Sequence, residues 1–348
     1  MLIGTEVVIL YILIGLLRPS NNTREEISVS ESLTRLLSSR PTHLPWIPSI
    51  AYETKLKNEY QWRQFLKDRK YERQIELILA ELQAYLVGNA EAQEFFRKAT
   101  VYGIPSSDNL KFYENFILSY DNRLKQPVWS LEHLTERHFR DRTAIRTARR
   151  DPFFPDMTLH KYFRINYRDY KKTNYYRVQF APACDNRVKQ QFLDRSYLNS
   201  NTAPQTPNIN RIGCIWNRLE SYVTFLGWRT RNLYVVTGAL YESHSDRKYS
   251  KYRMIGSNRI TVPTHFYKVL LYEERNGALL MEAYVVPNSM QVWENERLEQ
   301  FRFEIDRLDI LERLTGLKYF DLLDRSWILK PIGLQYRFQE RFAGATAF

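Results

Sequence analysis

Glycine and cysteine are scarce in this chain of 348 residues, and their scarcity excludes several kinds of site. The 12 glycines are about half of what an average composition would give, and no two of them lie within three residues of each other. The sequence therefore contains no glycine-rich loop of the kind that cradles nucleotide phosphates. The two cysteines, Cys184 and Cys214, have no C-x-x-C partner, and the six histidines form no H-E-x-x-H motif. A disulfide scaffold and zinc sites of standard spacing are excluded as well.

Positive charge is in excess, and it is unevenly placed along the chain. The sequence has 51 Lys+Arg against 39 Asp+Glu, a net charge of +12. Residues 1–101 carry 13 basic and 12 acidic side chains, a net +1, which leaves +11 for the rest. A basic surplus of this size favours a polyanionic partner, and the surface that binds it is expected in the C-terminal part.

The densest basic stretches are residues 137–150 and 161–177. Within the second, one acidic residue, Asp169, opposes a group of cations: Arg164, Arg168, Lys171 and Lys172. Tyrosines alternate with these cations, and aromatic rings can stack on bases while cations meet phosphates. The stretch is therefore a candidate nucleic-acid surface, and a solvated face or a β-sheet surface is the alternative.

The N-terminus differs in composition from the rest of the chain. Residues 1–17 are apolar except for Glu6 and a few small residues, and about 17 residues is the short limit for a membrane-spanning helix. The positively charged start of a secretory signal is missing. The segment is interpreted as a membrane anchor, with a buried or cleaved leader as the alternative. Residues 18–54, rich in Ser, Thr, Asn and Pro, are interpreted as a linker.

Apolar residues at steps of three and four predict helices over residues 55–87 and 90–99, which together form a helical spacer over residues 55–101. The remainder, residues 102–348, is interpreted as one α+β domain. Its predicted helices cover 216–226 and 298–314. Runs rich in β-branched and aromatic residues predict strands at 116–119, 128–131, 233–237, 260–262, 266–272 and 280–286.

Nine segments, in order, resemble one family. They are Phe116-Ile-Leu-Ser-Tyr-Asp121, Trp129-Ser-Leu-Glu-His-Leu134, Ala181-Pro-Ala183, Tyr197-Leu-Asn-Ser-Asn201, Ala203-Pro-Gln205, Trp216-Asn-Arg-Leu-Glu220, Val235-Val-Thr-Gly238, Val262-Pro-Thr-His-Phe266 and Tyr284-Val-Val-Pro-Asn288. The chain resembles endonuclease G and the DNA/RNA non-specific nucleases of the ββα-metal class over residues 102–320. The resemblance implies a central antiparallel sheet flanked by helices, with a strand-loop-helix site that holds one hydrated Mg²⁺, here preceded by an N-terminal helical extension.

In such enzymes an Asp-Arg-Gly-His motif supplies the histidine that activates water and an arginine that stabilises charge on the phosphate. The register set by Asp169 and Ala181 places Tyr176-Arg177-Val178-Gln179 at that motif. Arg177 is kept, but Gln179 stands where the histidine belongs. A glutamine amide does not titrate near neutral pH and cannot take the proton of an attacking water. The resemblance therefore predicts an impaired catalyst.

The family's other site residues are matched in part. Asn210 matches the metal-ligating asparagine, Glu220 matches the acid on the next helix, and Asn201 matches a further site asparagine. Two extra residues lie between Asn210 and Trp216. On a continuous helix they would rotate all later residues by about 200°, unless a loop at Gly213 absorbs them.

Three functions remain open on these grounds. The chain is interpreted as an impaired nuclease relative that retains DNA/RNA binding. The alternatives are a residual Mg²⁺-dependent endonuclease and a protein-interaction module that pairs with itself or with a homologue. The resemblance and the apolar N-terminus together imply a mitochondrial location, in the inner membrane or intermembrane space, with the nucleus or the secretory pathway as alternatives.

Overall fold

A central sheet of eight strands organises the fold in the computed structural model, which describes residues 90–146, 151–210, 213–242, 252–290 and 297–329. The strands run in the order β1-β2-β3-β6-β9-β10-β11, each antiparallel to the next, and β12 pairs parallel with β10. Their bounds are β1 Leu110–Phe112, β2 Ile117–Asp121, β3 Gln126–Leu134, β6 Asn232–Leu240, β9 His265–Glu273, β10 Leu279–Pro287, β11 Arg302–Phe303 and β12 Ile328–Leu329. The predicted central antiparallel sheet is confirmed.

Both faces of the sheet are covered, because alternate residues of its long strands enter two separate apolar clusters. In β9, Phe266 and Leu270 enter one cluster, whereas Val269 and Leu271 enter the other. Side chains that alternate along a strand point to opposite faces, so a strand buried on both sides is apolar throughout. Helices must therefore pack on each face of this sheet, which gives three layers.

Of the described helices, the three longest divide between these two faces. The bounds of the helices are α1 Ala90–Ala99, α2 Glu136–Arg140, α3 Tyr167–Tyr170, α4 Gln190–Ser196, α5 Pro207–Asn210, α6 Ile215–Arg229 and α7 Leu308–Thr315, with 3₁₀ turns at Lys161–Phe163, Asn199–Asn201, Leu298–Phe301, Ile305–Arg307 and Arg325–Trp327. Phe95 and Phe96 of α1 pack with Leu311 of α7 on one face, and Trp216 and Leu219 of α6 pack on the other. Helix α1, predicted as part of the spacer, thus contributes to the core.

A second, two-stranded sheet carries the segment that the resemblance places at the family's Asp-Arg-Gly-His motif. Strand β4, Tyr176–Gln179, pairs antiparallel with β5, Thr202–Gln205, and α5 and α6 come next along the chain. Gly213, between these helices, has φ +86°, a conformation that glycine adopts without strain. Helices α5 and α6 are therefore separate, and the glycine lies in a turn just before α6. A third pair, β7 Met254–Ile255 and β8 Ile260–Thr261, forms a small hairpin.

The predicted helix over 298–314 is wrong in its first half. After one 3₁₀ turn the chain extends through β11, where Phe303 pairs with Ala283 and Arg302 with Tyr284 of β10. Only α7 of the predicted stretch is α-helical. The backbone groups of β11 form their hydrogen bonds with the edge of β10. This pairing outweighs the helical pattern in the local sequence of β11.

The predictions for residues 1–17, 18–54 and 55–89 lie outside the described residues. Within the part of the chain that the structure describes, no helix has the length and apolar character needed to cross a membrane. The membrane anchor remains a prediction.

Candidate functional site

A cavity of about 330 Å³ lies between β4, the loop after it, and one face of α6. Three of the predicted site residues, Arg177, Gln179 and Glu220, line it together. The remaining lining residues are Arg146, Val178, Pro182, Ala183, Cys184, Tyr197, Asn217, Ser221 and Thr224. The structure thus brings two residues of the predicted motif and the predicted acidic residue to one place.

Gln179, at the end of β4, has both ends of its amide in hydrogen bonds. Its Nε2 donates to the Ser196 carbonyl at 2.8 Å and to the Ser196 hydroxyl at 3.3 Å, and its Oε1 accepts from Ala183 N at 3.0 Å. An amide suits both contacts, because it offers a donor at one end and an acceptor at the other. The Gln179 side chain therefore ties the loop after β4 to the end of α4.

Arg177 is also held by its neighbours. Nη2 donates to Asp151 Oδ1 at 2.7 Å, Nη1 donates to Asn199 Oδ1 at 3.2 Å, and only 10% of the side chain is exposed. The guanidinium lies over the Phe153 ring, 4.4 Å from its centroid, and the ring centroids of Tyr167 and Tyr170 are 5.9 and 5.6 Å away. Stacking and the paired carboxylate both favour this buried position for an arginine.

Helix α6 presents a polar face to the cavity. Asn217, Glu220, Ser221 and Thr224 line it at helical spacing, while Trp216 and other apolar residues of α6 face the sheet. Glu220 Oε1 accepts a hydrogen bond from Trp216 Nε1 at 3.1 Å. The carboxyl group is thereby fixed at the cavity wall.

Burial raises the pKa of Glu220 to about 7; Lys268 opposes this shift and the negative charge of Asp185 adds to it. Burial also raises the pKa of Asp185 to about 6, again opposed by Lys268. Glu132, fully buried on β3, has its pKa raised well above the usual range by burial and by Asp185. Three carboxyl groups thus share one buried lysine, and each deprotonation makes the next harder.

The structure describes the two asparagines that the resemblance assigns to the site, Asn201 and Asn210, to different extents. Asn201 is fully buried: its Oδ1 accepts from Ala181 N at 3.0 Å, and its Nδ2 donates to the carbonyls of Ala181 and Ser196. Its side chain braces the loop after β4 and does not line the cavity. Asn210 ends α5, but its side chain lies outside the described residues, so its role as a metal ligand remains a prediction.

The predicted nucleic-acid-binding cations lie on and around α3. Arg164 donates to two backbone carbonyls, those of Leu159 and Met157, so it serves the local fold. Arg168, Lys171 and Lys172 are exposed, and none pairs with an acidic side chain of the described residues. Helix α3 lies beside the cavity, because Tyr167 and Tyr170 contact Arg177.

The described residues provide this cavity with neither a reactive thiolate nor a preformed metal-binding site. Burial raises the pKa of Cys184 well above its usual range, so its thiol stays protonated at neutral pH. Over the described ranges no group of three or more His, Cys, Asp and Glu side chains could hold a metal ion.

Sequence reasoning missed Arg146, Asn217, Ser221 and Thr224. The last three could have been found from the helical periodicity of α6, since they repeat on the face opposite its apolar residues. Arg146 belongs to the basic stretch 137–150, in which no local pattern distinguishes one arginine from the next.

Comparison with known proteins agrees with this geometry. Residues 96–326 match the family model for DNA/RNA non-specific endonucleases. Mitochondrial endonuclease G of Caenorhabditis elegans is 33% identical over 258 residues, 73% of this chain and 80% of that protein. Its human counterpart is 35% identical over 235 residues, 66% of this chain and 76% of that protein. A crystal structure of the EndoG/EndoGI complex matches with a TM-score of 0.63 and 33% identity, over 70% of this chain and 96% of that chain. The chain therefore belongs to the DNA/RNA non-specific endonuclease family.

Proposed function

We propose that this protein binds the phosphate backbone of nucleic acid and hydrolyses that nucleic acid only slowly. The observation that carries the proposal is the state of Gln179, which stands where the family resemblance places a water-activating histidine. Its amide donates to Ser196 and accepts from Ala183, and an amide oxygen is not basic enough to take the proton of a water molecule at neutral pH. Proton transfer by a positioned group supplies about 10² to 10⁴ in rate, and its loss leaves binding intact.

Binding is supported by charge. The net +11 beyond residue 101 and the exposed cations Arg168, Lys171 and Lys172 need no general base to contact phosphates. Contacts of this kind carry no sequence information, so weak sequence preference is expected.

A magnesium ion, which the resemblance implies, would be held by Asn210 and by water. When bound, such an ion neutralises charge on the phosphate oxygens. The buried carboxyl groups of Glu132 and Asp185 lie behind Glu220 and do not line the cavity, so they are not ligands in this proposal.

The test uses the full chain with labelled duplex and single-stranded DNA. Anisotropy across a salt series should show affinity that falls steeply with salt, because each neutralised phosphate adds about 0.9 to the slope of log affinity against log salt for duplex. Plasmid incubated with Mg²⁺ or Mn²⁺ should be cut far more slowly than by an active relative. Absence of binding at low salt would favour the protein-interaction alternative, and rapid cutting would contradict the impairment.

Glu220 favours residual hydrolysis as a second candidate. It lines the cavity with Gln179, and its pKa of about 7 lets the carboxylate accept a proton from water near neutral pH. In this case the slow cleavage rate should rise with pH up to about 7, and Glu220→Gln should abolish both the rate and its pH dependence. A slow rate that is unchanged in Glu220→Gln would remove Glu220 from the reaction.

A mitochondrial location is proposed from the relatives, since those of Caenorhabditis elegans and human are both named mitochondrial endonuclease G. Anchoring through residues 1–17 and pairing with a second copy or with a homologue belong to the same proposal. Fractionation of mitochondria, with and without residues 1–17 on a fluorescent fusion, tests the location and the anchor.

A further inference from the structure

The two arginines that line the cavity differ in how much of their charge is available. Arg177 shares its charge with Asp151 at 2.7 Å, and it is enclosed by Phe153, Tyr167 and Tyr170. Both terminal nitrogens already donate, to Asp151 and to Asn199. An anion reaching this guanidinium would compete with the Asp151 carboxylate for its charge, at a side chain that is only 10% exposed.

Arg146 lines the same cavity and is exposed. No ion pair joins it to an acidic side chain of the described residues, whereas nearby Arg137 and Arg140 are paired with Asp141 or Glu136. Elsewhere on the cavity wall, α6 contributes Asn217, whose amide nitrogen can donate to phosphate oxygens, whereas the hydroxyls of Ser221 and Thr224 donate to the backbone carbonyls of Asn217 and Glu220.

We infer that Arg146, and not Arg177, is the arginine that binds a backbone phosphate in this cavity, and that Arg177 is a structural brace neutralised by Asp151. The inference rests on the proposed nucleic-acid binding and assigns its cavity contact. A planar guanidinium free of internal partners can make two hydrogen bonds to one phosphate, whereas a caged and paired one must first lose its partners.

The separation of roles depends on what each residue would lose on binding. Arg146 loses water and gains a phosphate, and the release of counterions from the nucleic acid favours that exchange at low salt. To bind a phosphate, Arg177 would have to give up its ion pair with Asp151. Separating such a pair inside the protein is strongly unfavourable, because the remaining charge is left uncompensated.

The experiment compares four variants of the full chain by duplex DNA anisotropy across a salt series, with thermal unfolding measured on the same samples. They are Arg146→Gln, the matched control Arg142→Gln, Arg177→Gln and Asp151→Asn. Arg142 is exposed, lies four residues from Arg146 and does not line the cavity. It therefore controls for the loss of one positive charge in the same segment.

Arg146→Gln is expected to weaken binding about tenfold at low salt and to lower the salt slope by about 0.9, with an unchanged melting temperature. Arg142→Gln should change both binding quantities much less. Arg177→Gln and Asp151→Asn should lower the melting temperature and leave the salt slope unchanged.

If the wild-type protein binds duplex DNA, any one of three results would overturn the inference. One is that Arg146→Gln binds as Arg142→Gln does. Another is that Arg177→Gln lowers the slope without loss of thermal stability. The third is that Asp151→Asn raises the slope by about one phosphate, because Arg177 would then have been released to bind. Wild-type protein that fails to bind at low salt would instead remove the proposed function itself.

Discussion

The indole Nε1 of Trp216 donates to Oε1 of Glu220 at 3.1 Å, one turn apart on helix α6. Trp216 is fully buried against the sheet, whereas Glu220 reaches the cavity. The hydrogen bond thus fixes a carboxyl group at the boundary between the core and the site. Its protonation is coupled to the stability of the fold, and this coupling leads to the first prediction.

Replacing Glu220 by Gln should stabilise the protein at neutral and alkaline pH. The folded pKa is about 7 against a usual value of 4.5, so the folded state binds a proton that the unfolded state has released. Stability contributed by this group is present below pH 4.5 and is lost as pH rises to about 7. The melting-temperature difference between Glu220→Gln and wild type should grow over that range to about 5 °C and then stay constant.

Taking the difference between the two proteins removes the contribution of other groups. Asp185, with a pKa raised to about 6, acts in the same direction, and His138, with a pKa lowered to about 4, acts in the opposite one. Glu304→Gln, at an exposed position, is the control and should show no such trend. A difference independent of pH would mean that Glu220 is ionised normally.

Gln179→His alone should raise cleavage of plasmid by less than about tenfold. An imidazole at this position meets the same partners, the Ser196 carbonyl and Ala183 N, and would have its donor and its acceptor nitrogen occupied. Little basicity would be left for water, and a misplacement of about 1 Å can itself cost 10²-fold. Gln190→His, at an exposed glutamine, is the control. Activity within about tenfold of an active relative would show that the missing histidine was the only defect.

Neutralising two exposed lysines beside α3 should lower the salt dependence of duplex binding. Lys171→Gln with Lys172→Gln removes up to two phosphate contacts, so the slope of log affinity against log salt should fall by up to about 1.8. Lys98→Gln is a suitable control, since Lys98 is exposed on α1, which packs on the other face of the sheet, and is paired with Glu94 at 2.7 Å. Equal effects of both changes would assign binding to overall charge.

Gly213→Ala should lower the free energy of unfolding by about 1 kcal/mol. A Cβ at this glycine would meet no atom within 4 Å, so the loss comes from its backbone alone, which has φ +86°. Gly213→Asn should lose less, because asparagine tolerates this conformation better. Urea unfolding of both variants measures the two losses. Full stability of the alanine variant would mean that the turn between α5 and α6 can adopt another conformation.

The strands of the central sheet could be predicted because their information is local. Strands buried on both faces are runs of apolar and β-branched residues, and β6, β9 and β10 each extend beyond the predicted run by one to three residues at an end. The first half of the predicted helix 298–314 failed because its conformation is set by β10, a distant segment that local periodicity does not report.

Some of the residues that line the cavity could be predicted from the sequence, but the side chains that each of them contacts could not. Arg177 and Gln179 are placed by the register of the motif. Asp151, which neutralises Arg177, lies 26 residues upstream, and Ser196, which binds Gln179, lies 17 residues downstream. Side-chain contacts across such separations leave no periodic pattern in a single sequence.

The strands at the two ends of the central sheet bear on how copies of this chain can associate. β11 and β12 cover the edge of β10 with two residues each, and β1 at the opposite end has three. Edges this short present few free backbone groups to an incoming strand, which is a common protection against intermolecular β-sheet formation. Over the described part of the chain, self-association is therefore expected to use contacts between side chains and not continuation of the sheet from one copy into the next.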